Sequence, residues 1–96
     1  MNWFDRKVLI LGLSKSGMAA AKYLSRKGAD VYITEIREEK PEDKEKLEEL
    51  KACDIHVEMG HHSDEFLSDL YLAVTSPGIP PKSEIFEKLR ERKVQI

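Results

Sequence analysis

The sequence predicts an α/β domain built around a parallel sheet, because short apolar segments alternate with segments of helical periodicity. The apolar segments are branched and largely uninterrupted, as in strands that are buried on both faces of a parallel sheet. A glycine-containing turn follows the first strand and opens the first helix, which is typical of this class. The chain has 96 residues, a length that suits one domain over residues 1–96.

The first strand and the first helix flank that turn. The strand is the run Val8–Leu11, and the turn is Gly12–Gly17. After the turn, small and apolar residues recur at helical spacing, which predicts a helix that lies close to the sheet. These residues are Gly17, Ala20, Ala21 and Leu24. Gly28 then predicts the end of the helix, and Val31–Thr34 is predicted as the second strand.

The middle of the chain predicts a charged helix, a strand and a single helical turn. Pro41 can open the helix, and Leu47 and Leu50 mark its inner face. Apolar and polar residues alternate over residues 55–59, which predicts a third strand nearer an edge of the sheet. Ser63 can cap the helical turn that follows it.

The last part of the chain predicts two more strands separated by a helix. Leu70–Val74 is a nearly continuous apolar run, which predicts a central strand. Ser83 can cap a helix with apolar residues on its inner face. These residues are Ile85, Phe86 and Leu89. Val94–Ile96 begins a fifth strand, so we expect a Rossmann-like, three-layer αβα domain with a five-stranded parallel sheet in the order 3-2-1-4-5.

This strand order creates a switch point beside the first strand, where strands 1 and 4 are neighbours. Ligands of such sheets bind outside the carboxyl ends of the strands at this point. The loops predicted to meet there are Gly12–Gly17, Glu35–Arg37 and Ser76–Ile79. We therefore expect a ligand site at this edge of the sheet.

The glycine turn has the composition of a phosphate site. It brings unpaired backbone N–H groups to the positive end of a helix, an arrangement that attracts anions. Lys15 and Ser16 add a point charge and a hydroxyl. Ser14 occupies the position of the central glycine of a dinucleotide fingerprint, and Met18 stands where a Walker A loop needs Lys. From the turn alone, nucleotide binding and a purely structural tight connection both remain open.

Two further loops carry polar groups that can reach such a ligand. Glu35 ends the second strand about 20 residues beyond the glycine turn, where an acid commonly accepts hydrogen bonds from a ribose or base. Arg37 can bind a diphosphate with its planar fork. Ser76-Pro77-Gly78 can present a hydroxyl and a backbone N–H at the mouth of the site. Each group also has an explanation without a ligand: Glu35 as a solvated acid, Arg37 as a surface arginine, and Ser76-Pro77-Gly78 as a rigid turn.

Composition and charge exclude several other classes. Acidic and basic side chains nearly balance, at 18 and 16, so we expect no nucleic-acid partner. No apolar stretch approaches the roughly 20 residues that span a bilayer, so we expect no membrane partner, and we expect no secretory leader. Cys53 cannot form an internal disulfide, which fits a cytoplasmic protein. His56, His61 and His62 lack the further ligands of a metal site, and no nucleophile–base pair is evident.

Two motifs together resemble the Mur ligases. The run from Lys7 to Ala20 resembles the opening of these enzymes, and Val74–Pro81 is similar to their Ser-Pro-Gly-Ile loop. The intervening Gly60-His61-His62 matches in spacing. The resemblance covers essentially the whole chain, and its details favour the D-glutamate-adding branch of the family.

In the Mur ligases the amino-terminal domain is Rossmann-like and holds the UDP part of the substrate. The resemblance implies that the diphosphate meets Ser14, Lys15, Ser16 and Gly17, assisted by Arg37. It implies that Glu35 and Ile36 lie against the uracil and ribose, and that Ser76, Pro77 and Gly78 lie near the nucleotide sugar. Ser14 replaces a glycine that is frequent in the family, which would move the phosphate slightly outward.

The resemblance also implies that substrate binding and catalysis are divided between domains. The substrate would be UDP-N-acetylmuramoyl-L-alanine, and the partner would be the rest of the same ligase chain. ATP and Mg²⁺ would act in the other domains of that enzyme, so this domain would hold no catalytic residue, metal or cofactor of its own. The alternatives are a nicotinamide-binding domain of a dehydrogenase or regulator, and an interaction module without catalytic activity.

Overall fold

The structure, a computed structural model, describes residues 3–75, 84–92 and 94. Strands and helices alternate along the chain, and helices cover both faces of a parallel sheet. The strands are β1 (Lys7–Leu11), β2 (Asp30–Glu35), β3 (His56–Met59) and β4 (Leu72–Val74). The helices are α1 (Lys15–Arg26), α2 (Lys44–Ala52), α3 (Asp64–Leu67) and α4 (Glu84–Glu91), with a 3-10 turn at Pro41–Asp43. The predicted α/β class is confirmed.

The strands of the described residues are all parallel and lie in the order β3-β2-β1-β4. Val8 of β1 is level with Val31 of β2 on one side and with Leu72 of β4 on the other. The reversal of chain order beside β1 is therefore present, as the sequence predicted. Because the strands run in one direction, their carboxyl ends reach the same edge of the sheet.

The described sheet has four strands, and the prediction of five in the order 3-2-1-4-5 is wrong for it. Most of the predicted fifth strand, Val94–Ile96, lies outside the described residues. Val94 itself is not in the sheet, because its amide donates to the carbonyl oxygen of Leu89 (3.0 Å) at the end of α4. β4 is thus an edge strand of the described sheet, although its apolar run predicted a central one. Apolar side chains report burial of a strand's faces, and they carry no information on whether its edges are paired.

The core is divided between the two faces of the sheet. Alternate residues of β1 point to opposite faces, and all of Val8–Leu11 is at most 1% exposed. On one face Val8 and Ile10 pack with α1 and α2 through Ala21, Leu24 and Leu50. On the other face Leu9 and Leu11 pack with α3 and α4 through Leu67, Ile85 and Leu89. β1 is therefore the buried centre of the described sheet.

Several local predictions are confirmed at the ends of the elements. Gly28 follows α1 with a left-handed backbone (φ 91°), which L side chains rarely adopt. Ser63 caps α3, since its hydroxyl accepts from the amide of Phe66 at 3.4 Å. Pro41 opens the 3-10 turn that leads into α2. Among the described residues, no helix is long and apolar enough to cross a lipid bilayer.

Candidate functional site at the carboxyl edge of the sheet

The loops that follow β1 and β2 lie side by side at the carboxyl edge. Leu11, the last residue of β1, is level with Thr34 near the end of β2. The glycine turn and the loop at Glu35–Arg37 therefore start from neighbouring points, as predicted. The third predicted segment, Ser76-Pro77-Gly78, lies outside the described residues, so its place at the edge stays a prediction.

Ser14 is the N-cap of α1. Its backbone is extended (φ −108°, ψ 169°), and its hydroxyl accepts from the amide of Gly17 at 3.0 Å. The first helical bond runs from the amide of Met18 to the carbonyl oxygen of Ser14 (2.8 Å). No hydrogen bond to a described residue engages the amides of Lys15 and Ser16, which precede that bond. As far as the described part of the chain shows, these two N–H groups can meet a ligand at the positive end of the helix.

Gly17 brings the start of α1 close to the turn. A Cβ atom at this position would lie 2.8 Å from the carbonyl oxygen of Gly12 and 3.3 Å from the Cγ2 atom of Ile10. Gly12 itself has a left-handed backbone (φ 96°). The two glycines are therefore needed for different reasons. Gly12 adopts the backbone conformation of the turn, and Gly17 lets the helix pack against the turn.

The side-chain charge on the first turn of α1 is positive. The first turn of α1 contains no acidic side chain. Lys15 is exposed, and no described acid forms an ion pair with it. The hydroxyl of Ser16 lies beside that of Ser14, with 3.2 Å between the two oxygens. The amides of Lys15 and Ser16, the ammonium group and a hydroxyl of the Ser14–Ser16 pair form a set of donors suited to a phosphate group.

Glu35 joins the loops of this edge through hydrogen bonds. Its Oε1 atom accepts from the amide of Leu13 (3.0 Å), and its Oε2 atom accepts from the amide of Arg37 (3.2 Å). The main-chain carbonyl oxygen of Glu35 accepts from the amide of Gly60 (2.8 Å). The acid predicted to contact a ribose or base is therefore engaged by backbone groups of its own domain.

Arg37 forms a bidentate ion pair with Asp43. Its two terminal nitrogens lie 2.9 and 3.1 Å from the two carboxylate oxygens, and Asp43 also accepts from the amide of Lys40 at 2.8 Å. Asp43 is buried. The guanidinium fork predicted for the diphosphate is thus turned towards Asp43, so its contact with a ligand stays a prediction. The sequence analysis did not identify this role of Asp43. A signal was present, because an acidic residue three positions after an N-cap residue, here Lys40, often accepts a hydrogen bond from the N-cap amide.

The ion pair predicts a distinct response to acid. The hydrogen bond from Arg37, and then that from the Lys40 amide, lower the pKa of Asp43 from 3.8 to about 2. Because the folded-state pKa is the lower one, this contribution to stability is complete above about pH 4 and is lost as pH falls through about 2. We expect the melting temperature of the wild type to fall more steeply across this interval than that of Asp43→Asn. Circular dichroism melts at stepped pH measure this, and parallel profiles would contradict it.

Thr34 and His62 fix the neighbouring part of the edge. The buried hydroxyl of Thr34 lies 2.6 Å from Nδ1 of His62 and donates to the carbonyl oxygen of His61 at 3.4 Å. Burial, and then the charge of Lys88, lower the pKa of His62. The described residues contain no group of three or more His, Cys, Asp or Glu side chains suited to a metal ion. His62 therefore has a structural partner in the fold.

Ile36 adds an apolar surface to the edge. It lies between Glu35 and Arg37, and its exposed fraction of 60% is high for a large apolar side chain. An exposed apolar side chain next to a polar ligand site can cover one face of a planar ring. The described edge thus combines a helix start that carries hydrogen-bond donors with an apolar neighbour, at the switch point of a parallel sheet.

These features define the class of the protein. The order of the sheet, the glycine turn and the capped helix start are those of a Rossmann-like α/β domain. Over residues 6–96 the sequence matches the family described as "Mur ligase MurD-like, N-terminal domain". The chain belongs to this family.

Curated relatives agree with this assignment. The chain is 35% identical over 92 residues to a UDP-N-acetylmuramoylalanine--D-glutamate ligase of Bdellovibrio bacteriovorus, a match that covers 96% of the chain and 20% of the relative. It is 39% identical over 93 residues to the enzyme of that name in Thermoanaerobacter pseudethanolicus, covering 95% and 20%. The chain therefore spans about a fifth of the length of these relatives.

A solved structure of a differently named protein has a similar fold. SirC, a precorrin-2 dehydrogenase, superposes with a TM-score of 0.63 over 99% of this chain and 43% of its own. The sequence identity is 14%, so the likeness concerns the fold alone.

Proposed function

We propose that this chain binds the UDP part of UDP-N-acetylmuramoyl-L-alanine, as the first domain of a cytoplasmic ligase that adds D-glutamate to that substrate. The observation that carries the proposal is the start of α1. There the amides of Lys15 and Ser16 have no partner among the described residues, and no described acid pairs with the Lys15 ammonium group. Membership of the Mur ligase family supports a uridine nucleotide as the source of the phosphates.

The diphosphate is proposed to lie over the glycine turn. The free amides of Lys15 and Ser16 would donate to its oxygens, and the Lys15 side chain would add a charge-assisted bond. Gly17 contributes by its lack of a side chain, because it lets the helix start approach the turn. Ser14 contributes by capping, since its hydroxyl holds the amide of Gly17 and leaves the two preceding amides for the ligand.

The nucleoside is proposed to lie along the loop after β2. The exposed side chain of Ile36 would cover one face of the uracil, and Glu35 would lie beside the ribose. Arg37 would assist the diphosphate once its fork turns from Asp43. Ser76, Pro77 and Gly78, which lie outside the described residues, are proposed to approach the nucleotide sugar.

The chemical step is proposed to take place in other parts of the ligase, where ATP and Mg²⁺ would bind. In this domain Met18 follows Gly17, so the turn lacks the Lys of a Walker A loop. The relatives are named as ligases, and this chain corresponds to a fifth of their length. Its contribution would be remote binding energy, which orients the substrate without contact with the reacting atoms.

The proposal is tested by an NMR titration of the ¹⁵N-labelled chain with UDP, and separately with NADH. We expect UDP to shift the amides of residues 14–18, 35–37 and 76–79, because these loops form the proposed site. NADH should shift them weakly, because Ser14 stands where a dinucleotide turn needs a central glycine. Uridine is the control that lacks phosphates, and it should leave residues 14–18 unshifted.

The same titration distinguishes the alternatives. Tight NADH binding without a response to UDP would assign the chain to the nicotinamide-binding domains. No response to either nucleotide would favour an interaction module and would overturn the proposed function.

A further inference from the structure

Glu35 forms hydrogen bonds in the loops that follow β1, β2 and β3 at the carboxyl edge of the sheet. Its carboxylate bonds the amide of Leu13, which is 22 residues away in the glycine turn, and the amide of Arg37 in its own loop. Its carbonyl oxygen bonds the amide of Gly60 in the loop after β3. No other described side chain bonds backbone amides of both the glycine turn and the loop after β2.

We infer that Glu35 is a positioning residue: its carboxylate holds the glycine turn against the loop after β2 and so pre-forms the site. This inference rests on the proposed function, because it assigns Glu35 a role in that same site. The direct contact of Glu35 with ribose or base stays a prediction.

The position of Leu13 explains why the turn needs such a partner. Leu13 is 8% exposed, and its side chain packs in the core cluster of β1, β2 and α1. Its amide follows Gly12, whose own amide bonds the carbonyl oxygen of Thr34 at 2.9 Å and continues the pairing of β1 with β2. Beyond this point the strands no longer supply acceptors, and leaving a part-buried amide without an acceptor costs free energy. The carboxylate of Glu35 supplies the missing acceptor.

The chemistry of a diphosphate site gives a second argument. An unpaired carboxylate beside a diphosphate would repel it. The dipoles of the two backbone N–H groups directed at the Glu35 oxygens partly screen that charge. The acid can therefore lie near the anion site while the free amides of Lys15 and Ser16 remain available to the ligand.

The test uses two variants that disturb the hydrogen bonds of Glu35 in different ways. Glu35→Gln keeps the size of the side chain but presents an NH₂ group to one of the two amides, so one hydrogen bond is lost. Glu35→Asp keeps the charge but shortens the reach to Leu13. Glu39→Gln is the matched control, because it removes the same charge from the same loop at an exposed residue with no hydrogen bond to a described partner.

The measurements are affinity for UDP and for inorganic pyrophosphate, and hydrogen exchange of the Leu13 amide without ligand. We expect both Glu35 variants to weaken UDP and pyrophosphate by the same factor, about fivefold, which corresponds to one net hydrogen bond. Exchange at Leu13 should accelerate in the free protein. Glu39→Gln should change none of these quantities.

The outcomes separate the two roles. A loss confined to UDP would mean that Glu35 bonds the ribose or uracil, and would overturn the inference. Unchanged exchange at Leu13 in both variants would overturn it as well. If the wild type binds neither ligand, the proposed function fails, and exchange at Leu13 still decides whether Glu35 holds the turn. Thermal melts of each variant establish that the compared proteins are folded.

Discussion

Gly17→Ala is expected to destabilise the domain by about 1–3 kcal/mol, the usual range for inserting an atom into a packed site. The new Cβ would lie 2.8 Å from the carbonyl oxygen of Gly12, a backbone atom that cannot rotate away. For a domain of this size we expect the melting temperature to fall by about 5–15 °C. The sign of the change in stability distinguishes a packed position from an open one, because replacing Gly by Ala at an open helical position stabilises the protein by about 0.5–1 kcal/mol.

Ser16→Ala is the matched control for that experiment. It leaves a methyl side chain on the adjacent, exposed residue of α1 and removes only the hydroxyl that lies 3.2 Å from that of Ser14. Its effect on stability should stay within about 0.5 kcal/mol, as for most surface substitutions. Circular dichroism melts of both variants and the wild type measure the difference. A melting temperature of Gly17→Ala at or above that of the wild type would show that the helix start does not pack against the turn.

Lys15→Ala is expected to weaken UDP binding at least about tenfold while leaving the melting temperature nearly unchanged. A charge-assisted hydrogen bond contributes roughly 1.5–3 kcal/mol, and 1.4 kcal/mol corresponds to a factor of ten in affinity. The side chain is exposed and has no ion-pair partner among the described residues, so its removal should cost the fold little. Isothermal titration calorimetry with UDP measures the affinity.

Lys22→Ala is the matched control for Lys15→Ala. Lys22 lies on the same helix seven residues further on, and hence on nearly the same face, about 10 Å along the axis. That distance is about the Debye length at 0.1 M salt, so its charge should affect a diphosphate at the helix start only weakly. Its ion pair with Glu49 is exposed and should matter little to stability. Equal losses in the two variants would mean that UDP responds to overall charge, and the glycine turn would lose its assignment as the diphosphate site.

The elements that frame the site could be predicted because their signals are local. The small residues after the glycine turn predicted the helix that the structure shows, with Gly17, Ala21 and Leu24 buried. The apolar run Val8–Leu11 predicted a strand covered on both faces, and it is the most deeply buried strand of the described sheet. Side-chain periodicity records which faces are covered, and for these elements that suffices.

The bonds within the site could not be predicted in the same way. Glu35 and Arg37 were predicted at the correct edge, because parallel strands deliver their following loops to one side of the sheet. Their partners Leu13 and Asp43 were not predicted as such. A carboxylate at a strand end has many amides within reach, and only the packed positions of the loops select among them.

The sequence by itself determined the class of the domain, the order of β3, β2, β1 and β4, and the edge at which a ligand is expected. Only the tertiary structure decided that β4 ends the described sheet, that Glu35 holds the glycine turn and that Arg37 faces Asp43. The physical reason is the range of the interactions. Burial patterns and turn conformations depend on residues that are close in the sequence. Strand-edge pairing and long-range hydrogen bonds form only after distant segments are brought together.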